Sequence, residues 1–146
     1  MQRPEFGHFC TIGFVMLILP QADVITQPYW DRARNQELCL QKCGHCENVW
    51  HPPTPVCPRC QSNRYDWTPS SGKGTIYSFT VVQHSTHVAV KDRVPYIVAL
   101  VTLDEGPRMV ANLLDCEPHE VKVGQRVRTI FQQVTPDCVL PQFVLE

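Results

Sequence analysis

The residues of this chain best equipped for chemistry are its cysteines, eight in 146 residues. Four of them form Cys43-Gly44-His45-Cys46 and, ten residues later, Cys57-Pro58-Arg59-Cys60. Two CxxC pairs make two knuckles whose backbone amides can point at thiolate sulfurs. Four thiolates at that spacing close a tetrahedral zinc site with metal–sulfur distances of about 2.3 Å. The gap is shorter than the usual separation of roughly 15–20 residues, yet it leaves room for one tight hairpin. The prolines between His51 and Pro58 stiffen that hairpin. A redox role for either pair needs a βαβ context that the sequence lacks, and paired disulfides need an oxidising compartment. The expectation is one structural zinc per chain on Cys43, Cys46, Cys57 and Cys60. Four protein ligands leave no position for water, which disfavours metal-assisted hydrolysis.

The other cysteines are Cys10, Cys39, Cys116 and Cys138. None is framed by a nucleophile elbow or a base, so they read as small buried apolar side chains rather than acyl acceptors. His84 and His87 lie three apart near a strand end, a spacing that puts them on opposite faces and argues against a shared metal. Asp104 and Glu105 read as a solvated hairpin tip. Lys91, Arg93 and Arg108 read as ordinary surface charge rather than phosphate ligands. No catalytic constellation emerges.

The elements that must position the zinc ligands are mainly β. Thr26 followed by Gln-Pro-Tyr-Trp-Asp predicts a helix start with a hydroxyl cap, an early proline and an early acid. The helix reaches about Gln36 and places Trp30 and Ala33 on one side. Leu38 and Leu40 alternate with Cys39 and Gln41 in a short strand, and Tyr65-Asp66-Trp67 alternates again. From Gly74 the runs Ile76–Val82, Val94–Leu103, Arg108–Leu114, Gln125–Val134 and Leu140–Leu145 are strands. Asp104-Glu105-Gly106-Pro107 is a turn and Pro118–Gly124 a connector. Five short strands suit a small closed barrel of the OB type better than a sandwich. The predicted organisation is an extension over 1–25, a leading helix and strand over 26–42, a zinc ribbon over 43–70 and a five-stranded barrel over 71–146.

Composition narrows the function. Hydrophobic residues make up 43% and charged residues 18%, as in a globular protein. Thirteen Lys plus Arg face fourteen Asp plus Glu, for a net charge of −1, which weighs against binding nucleic acid through its phosphates. Phe9 to Leu19 is apolar over eleven residues, too short to span a membrane. It has the length of a signal-peptide core, but Glu5 and Pro20-Gln21-Ala22 fit that reading poorly. Translation starting at Met16, or a loosely ordered extension, fits better, and a partner-docking segment is the third reading. A cytoplasmic chain with reduced thiols is expected.

Taken in order, these features resemble a known family. The sequence runs Pro28-Tyr29-Trp30-Asp31, then Leu38-Cys39-Leu40-Gln41-Lys42-Cys43, then the double CxxC around Pro52-Pro53 and Trp67. After these come Gly72-Lys73-Gly74-Thr75-Ile76-Tyr77-Ser78-Phe79-Thr80, Pro95-Tyr96, Val98-Ala99-Leu100-Val101, Asp104-Glu105-Gly106-Pro107 and Gly124-Gln125-Arg126-Val127. Over about residues 26–146 this resembles the rubredoxin-like zinc-ribbon plus OB-fold proteins encoded beside thiolases. The resemblance implies a non-catalytic subunit that bridges or completes a thiolase-type acyl-CoA complex, its partners being a thiolase-fold protein and a second enzyme of the pathway. The nucleophilic cysteine then belongs to the thiolase-like partner. Within that family an acetyltransferase of the phloroglucinol type is the preferred branch. Tyr29 and Trp30 match the family's helix and are expected to touch the partner, since exposed aromatics are favoured interface anchors, with packing of Trp30 onto the zinc ribbon as the other reading. Two alternatives stand beside this reading. One is a stand-alone acyl-CoA carrier with an apolar groove on the barrel. The other is a single-strand nucleic-acid binder using Tyr77 and Phe79, which the charge balance opposes.

Overall fold

The chain beyond Lys73 is rich in β-branched residues, and it forms the larger part of the structure. The computed structural model describes residues 19–85 and 87–146. One helix, α1 (Gln27–Arg34), precedes a three-stranded antiparallel sheet of β1 (Cys39–Cys43), β2 (Val49–Trp50) and β3 (Tyr65–Pro69), in the order β2-β1-β3. Five strands follow: β4 (Lys73–Val82), β5 (Tyr96–Leu103), β6 (Arg108–Leu113), β7 (Arg126–Thr135) and β8 (Cys138–Leu145). They close into a barrel in the order β4-β5-β6-β8-β7. The expected mainly β fold of helix, zinc ribbon and five-stranded barrel is what the chain adopts.

β5 carries the barrel's pattern most clearly. Ile97, Ala99, Val101 and Leu103 point inward and are buried, while the residues between them are half-exposed. Phe143, Ile76 and Val127 complete the fully buried interior. The barrel closes along two short seams. β4 meets β7 over Lys73–Thr75, and β6 meets β8 in parallel at the single pair Leu113↔Phe143. At the first seam a Cβ on Gly74 would lie 2.6 Å from both the Thr102 carbonyl oxygen and Val101 Cγ1, so the close approach needs glycine.

One hydrophobic core runs through both parts of the molecule, because Tyr29, Leu38, Cys39 and Leu40 pack with the barrel interior. The connection between β3 and β4 is pinned as well. Glu105 accepts hydrogen bonds from the Ser71 N–H (2.6 Å) and the Ser70 hydroxyl (2.9 Å), and the Ser70 N–H donates to the Leu38 carbonyl (2.8 Å).

Several local expectations are corrected. Thr26 does not cap α1 with its hydroxyl. Asp23 opens the helix instead, its carboxylate accepting from the N–H groups of Ile25 (3.0 Å) and Thr26 (2.7 Å). The supposed early acid, Asp31, sits in the second turn and pairs with Gln27 and Arg34. Tyr29 and Ala33, not Trp30 and Ala33, are the buried pair of α1. β1 does not alternate, since Leu38, Cys39, Leu40 and Gln41 are all buried in the middle strand of its sheet. Asp104 and Glu105 are not simply a solvated tip: Asp104 takes a bidentate pair from Arg126 (2.7 and 2.8 Å), and Glu105 holds the linker. The apolar run before Leu19 and Cys10 lie outside the described residues. Among the described residues no helix is long and apolar enough to cross a membrane.

Candidate metal centre

Each CxxC pair folds into the same local shape. In the first, the Glu47 N–H donates to the Cys43 carbonyl (3.2 Å). In the second, the Gln61 N–H donates to the Cys57 carbonyl (2.8 Å). Glu47 and Gln61, each one residue past a CxxC, both take left-handed backbone angles, φ 59° and 62°. The turns are tied to the sheet by Cys43 N–H to Asn48 carbonyl (2.9 Å), Gly44 N–H to Arg64 carbonyl (2.9 Å) and Cys57 N–H to Ser62 carbonyl (2.8 Å). The hairpin between the knuckles is held by Trp50, whose indole N–H donates to Thr54 Oγ1 (2.9 Å), and by the buried Gln41, whose side-chain carbonyl accepts the Thr54 N–H (2.7 Å).

This scaffold brings all four predicted sulfurs within 4.8 Å of one another. Cys43 and Cys60 lie 3.5 Å apart, and Cys46 and Cys57 3.7 Å apart. Sulfurs at the corners of a zinc tetrahedron with bonds of about 2.3 Å are separated by about 3.8 Å, whereas a disulfide needs about 2.05 Å. The set therefore fits one zinc ion and not two disulfides. Cys43 and Cys57 are buried, with Trp50 and Tyr65 stacked edge to face at 5.9 Å beside them.

The electrostatics point the same way. The N–H groups of Cys46 (3.5 Å) and His45 (3.4 Å) face the Cys43 sulfur and lower its thiol to about 6. Burial opposes ionisation of Cys57, but the Cys60 and Arg59 amides prevail and bring it below the ordinary thiol range. At Cys60 the Ser62 amide favours the thiolate, yet burial and the three neighbouring sulfurs hold the thiol up at about 12. Four thiolates this close repel one another, and a divalent cation between them removes that conflict.

The remaining thiols lie elsewhere. Burial pushes Cys39 up to about 11, and it also raises Cys116 and Cys138. Such thiols are poor nucleophiles. His84 and His87 sit in the loop after β4 rather than on a strand. Lys91 and Arg93 lie on a 3₁₀ turn, Val88–Arg93, and Arg108 is not mere surface charge, its guanidinium stacking 3.5 Å above the Tyr77 ring.

Tyr29 and Trp30 part company. Tyr29 is only 4% exposed, so it offers no free ring to a partner. It stacks on His51 (5.4 Å) and on Trp30 (5.0 Å, edge to face). Trp30 is half-buried and reaches the surface. His51 was legible in the sequence only as part of a stiff hairpin. In the fold, burial lowers its imidazole to about 4, and with Trp30 it lines a groove between the ribbon and the barrel.

Comparison with known proteins matches both halves. Residues 30–66 match the family described as ChsH2, rubredoxin-like zinc ribbon domain, and residues 67–132 match ChsH2, C-terminal OB-fold domain. A DUF35 domain-containing scaffold protein of Methanocaldococcus jannaschii is 34% identical over 108 residues, covering 70% of this chain and 74% of that one. A probable enoyl-CoA hydratase alpha subunit of Thermomonospora curvata is 36% identical over 79% of this chain, which spans only 35% of that longer protein. Among solved structures, the Ltp2-ChsH2(DUF35) aldolase superposes with a TM-score of 0.78 at 34% identity, covering 86% of this chain and 98% of that one.

Proposed function

The chain belongs to the ChsH2-type DUF35 family of rubredoxin-like zinc ribbons joined to OB-fold barrels, and from that premise we propose that it is a non-catalytic scaffold subunit of a thiolase-type acyl-CoA complex. Its ribbon and α1 dock on a thiolase-fold enzyme, with the half-buried Trp30 as an anchor, while the barrel holds a second enzyme of the same pathway. Fixing two active sites side by side raises the effective concentration of a shared acyl intermediate.

The observation that carries this reading is where the thiols go. Acyl transfer of the thiolase type needs a nucleophilic cysteine with a lowered pKa beside a base. Here the lowered thiols, Cys43 and Cys57, are zinc-ligand geometry, and Cys39, Cys116 and Cys138 are shifted the other way. The scaffold-protein names of relatives and the aldolase complex of the structural neighbour support the same role.

The test is an acyl-transfer assay on the chain alone, its thiolase-fold partner alone and the two combined. Full activity is expected only in the mixture, lost with the partner's cysteine and retained when Cys39, Cys116 or Cys138 of this chain becomes alanine. Turnover of acyl-CoA by the isolated chain that vanishes with Cys116→Ala overturns the reading.

A further inference from the structure

The seam between β6 and β8 is open along most of its length. β6 pairs with β5 from Arg108 to Leu113 but with β8 only at Leu113↔Phe143. The reason lies in one residue. Continuing that parallel ladder one step back requires an N–H at position 141, which is Pro141. Gln142 substitutes for one missing bond, its side-chain carbonyl accepting the Asn112 N–H at 2.8 Å. Alternate residues of a strand direct their backbone groups to the same side. The Leu114 and Asn112 amides both face β8, so those of Val110 do too. Among the described residues the Val110 N–H and C=O have no backbone partner on that side.

The open edge borders a groove of about 500 Å³. Val110, itself 63% exposed, lines it together with Leu140 and Pro141 of β8 and with Trp30, His51 and Pro52. Among the described residues no Asp, Glu, Lys or Arg lines it, and burial keeps His51 neutral near pH 7. Those residues offer no cation to a phosphate-bearing ligand. An unpaired strand edge beside apolar side chains is a surface that proteins normally cover, and an extended peptide covers both parts at once. We propose that this seam takes an extended, uncharged, aliphatic segment of the thiolase-fold partner as an added strand. The segment's backbone pairs with Val110, and its side chains lie on Trp30, Pro52, Leu140 and Pro141. The inference rests on the scaffold reading above and names the surface through which it works.

Residue-resolved amide hydrogen exchange on the full chain tests it. In the free chain the Val110 amide exchanges faster than those of Met109 and Ala111, which bond to β5. In the complex it slows by on the order of tenfold or more while its neighbours change little. Val110→Pro removes an N–H that the β5 ladder does not use, so zinc content and melting temperature hold while partner affinity falls roughly tenfold. Val110→Asp, which places a charge in the uncharged groove, has the same effect. Val123→Asp, at a site 64% exposed in the Pro118–Gly124 connector, leaves affinity unchanged. Unaltered affinity in both Val110 variants, with Val110 still exchanging fast in the complex, overturns the inference and leaves the scaffold reading standing. It is equally overturned if Val110 is already slow in the free chain and deletion of residues 1–18 frees it, since the occupant is then the chain's own leading segment. Failure of the wild-type chain to bind the partner contradicts the scaffold reading instead. A capped Ser-Val-Thr-Val-Ser peptide then decides the site, supporting it by slowing Val110 exchange and overturning it by leaving exchange unchanged.

Discussion

Each metal-site cysteine is placed both to ligate a cation and to shape a tight CxxC turn, so removing one undoes both. Cys57→Ser is expected to reduce zinc from one per chain to well below that, to lower the melting temperature, and to expose amides over residues 43–60. Metal analysis and hydrogen exchange check this, and full zinc with an unchanged melting curve would contradict the assignment. His51 gives a second prediction at this scale. Burial holds its imidazole at about 4, below the ordinary value near 6.5, so the unfolded chain binds more protons in that interval. Stability contributed by neutral His51 is complete above about 6.5 and is lost as pH falls toward 4. Comparing urea midpoints of wild type and His51→Gln at pH 7 and pH 5 isolates it, because the zinc thiolates titrate in both. The wild type should lose more, by at most about 2 kcal/mol.

At the scale of elements, two contacts set how the ribbon meets the barrel and how the barrel closes. Glu105 reaches from the β5–β6 turn to Ser70 and Ser71, spanning 35 and 34 residues of sequence. Burial resists its charge, but the Ser71 amide and the two serine hydroxyls prevail and hold the carboxyl below its ordinary range. That contribution is present above the ordinary glutamate value and is lost as pH falls through the lowered one. Glu105→Ala should cost about 1 kcal/mol and speed exchange at the Ser71 amide, with the barrel amides unchanged. A slowed or unaltered Ser71 would show that the linker is held by something else. Gly74→Ala is predicted to be worse, by roughly 2–3 kcal/mol in thermal or urea unfolding, because its Cβ meets the backbone of β5 and cannot be relieved by a rotamer change. These contacts explain where the sequence was silent. The alternation in β5 and the aromatic run of β4 were readable because they are local and periodic. The burial of Gln41 and of both faces of β1 was not, since it follows from β1 lying between two strands and beneath a helix.

For the whole molecule, what was legible was the chemistry packed closest in sequence. The four zinc ligands span only 18 positions, Cys43 to Cys60, and their spacing alone predicts the site that the fold builds. The proposed partner surface was not legible in that way. Tyr29 looks like an interface aromatic until the fold buries it, and the parting of β6 from β8 beside Pro141 shows only in the folded chain. The proposed scaffold role accounts for a metal-binding ribbon, a shared core and an unfinished strand seam in one chain. The most direct measurement is purification of the tagged chain from its native host, with mass spectrometry and stoichiometry of what co-elutes. A thiolase-fold protein in fixed ratio, retaining one zinc per copy of this chain, is the predicted result. A chain that elutes alone and carries bound CoA would contradict the account and favour a stand-alone carrier.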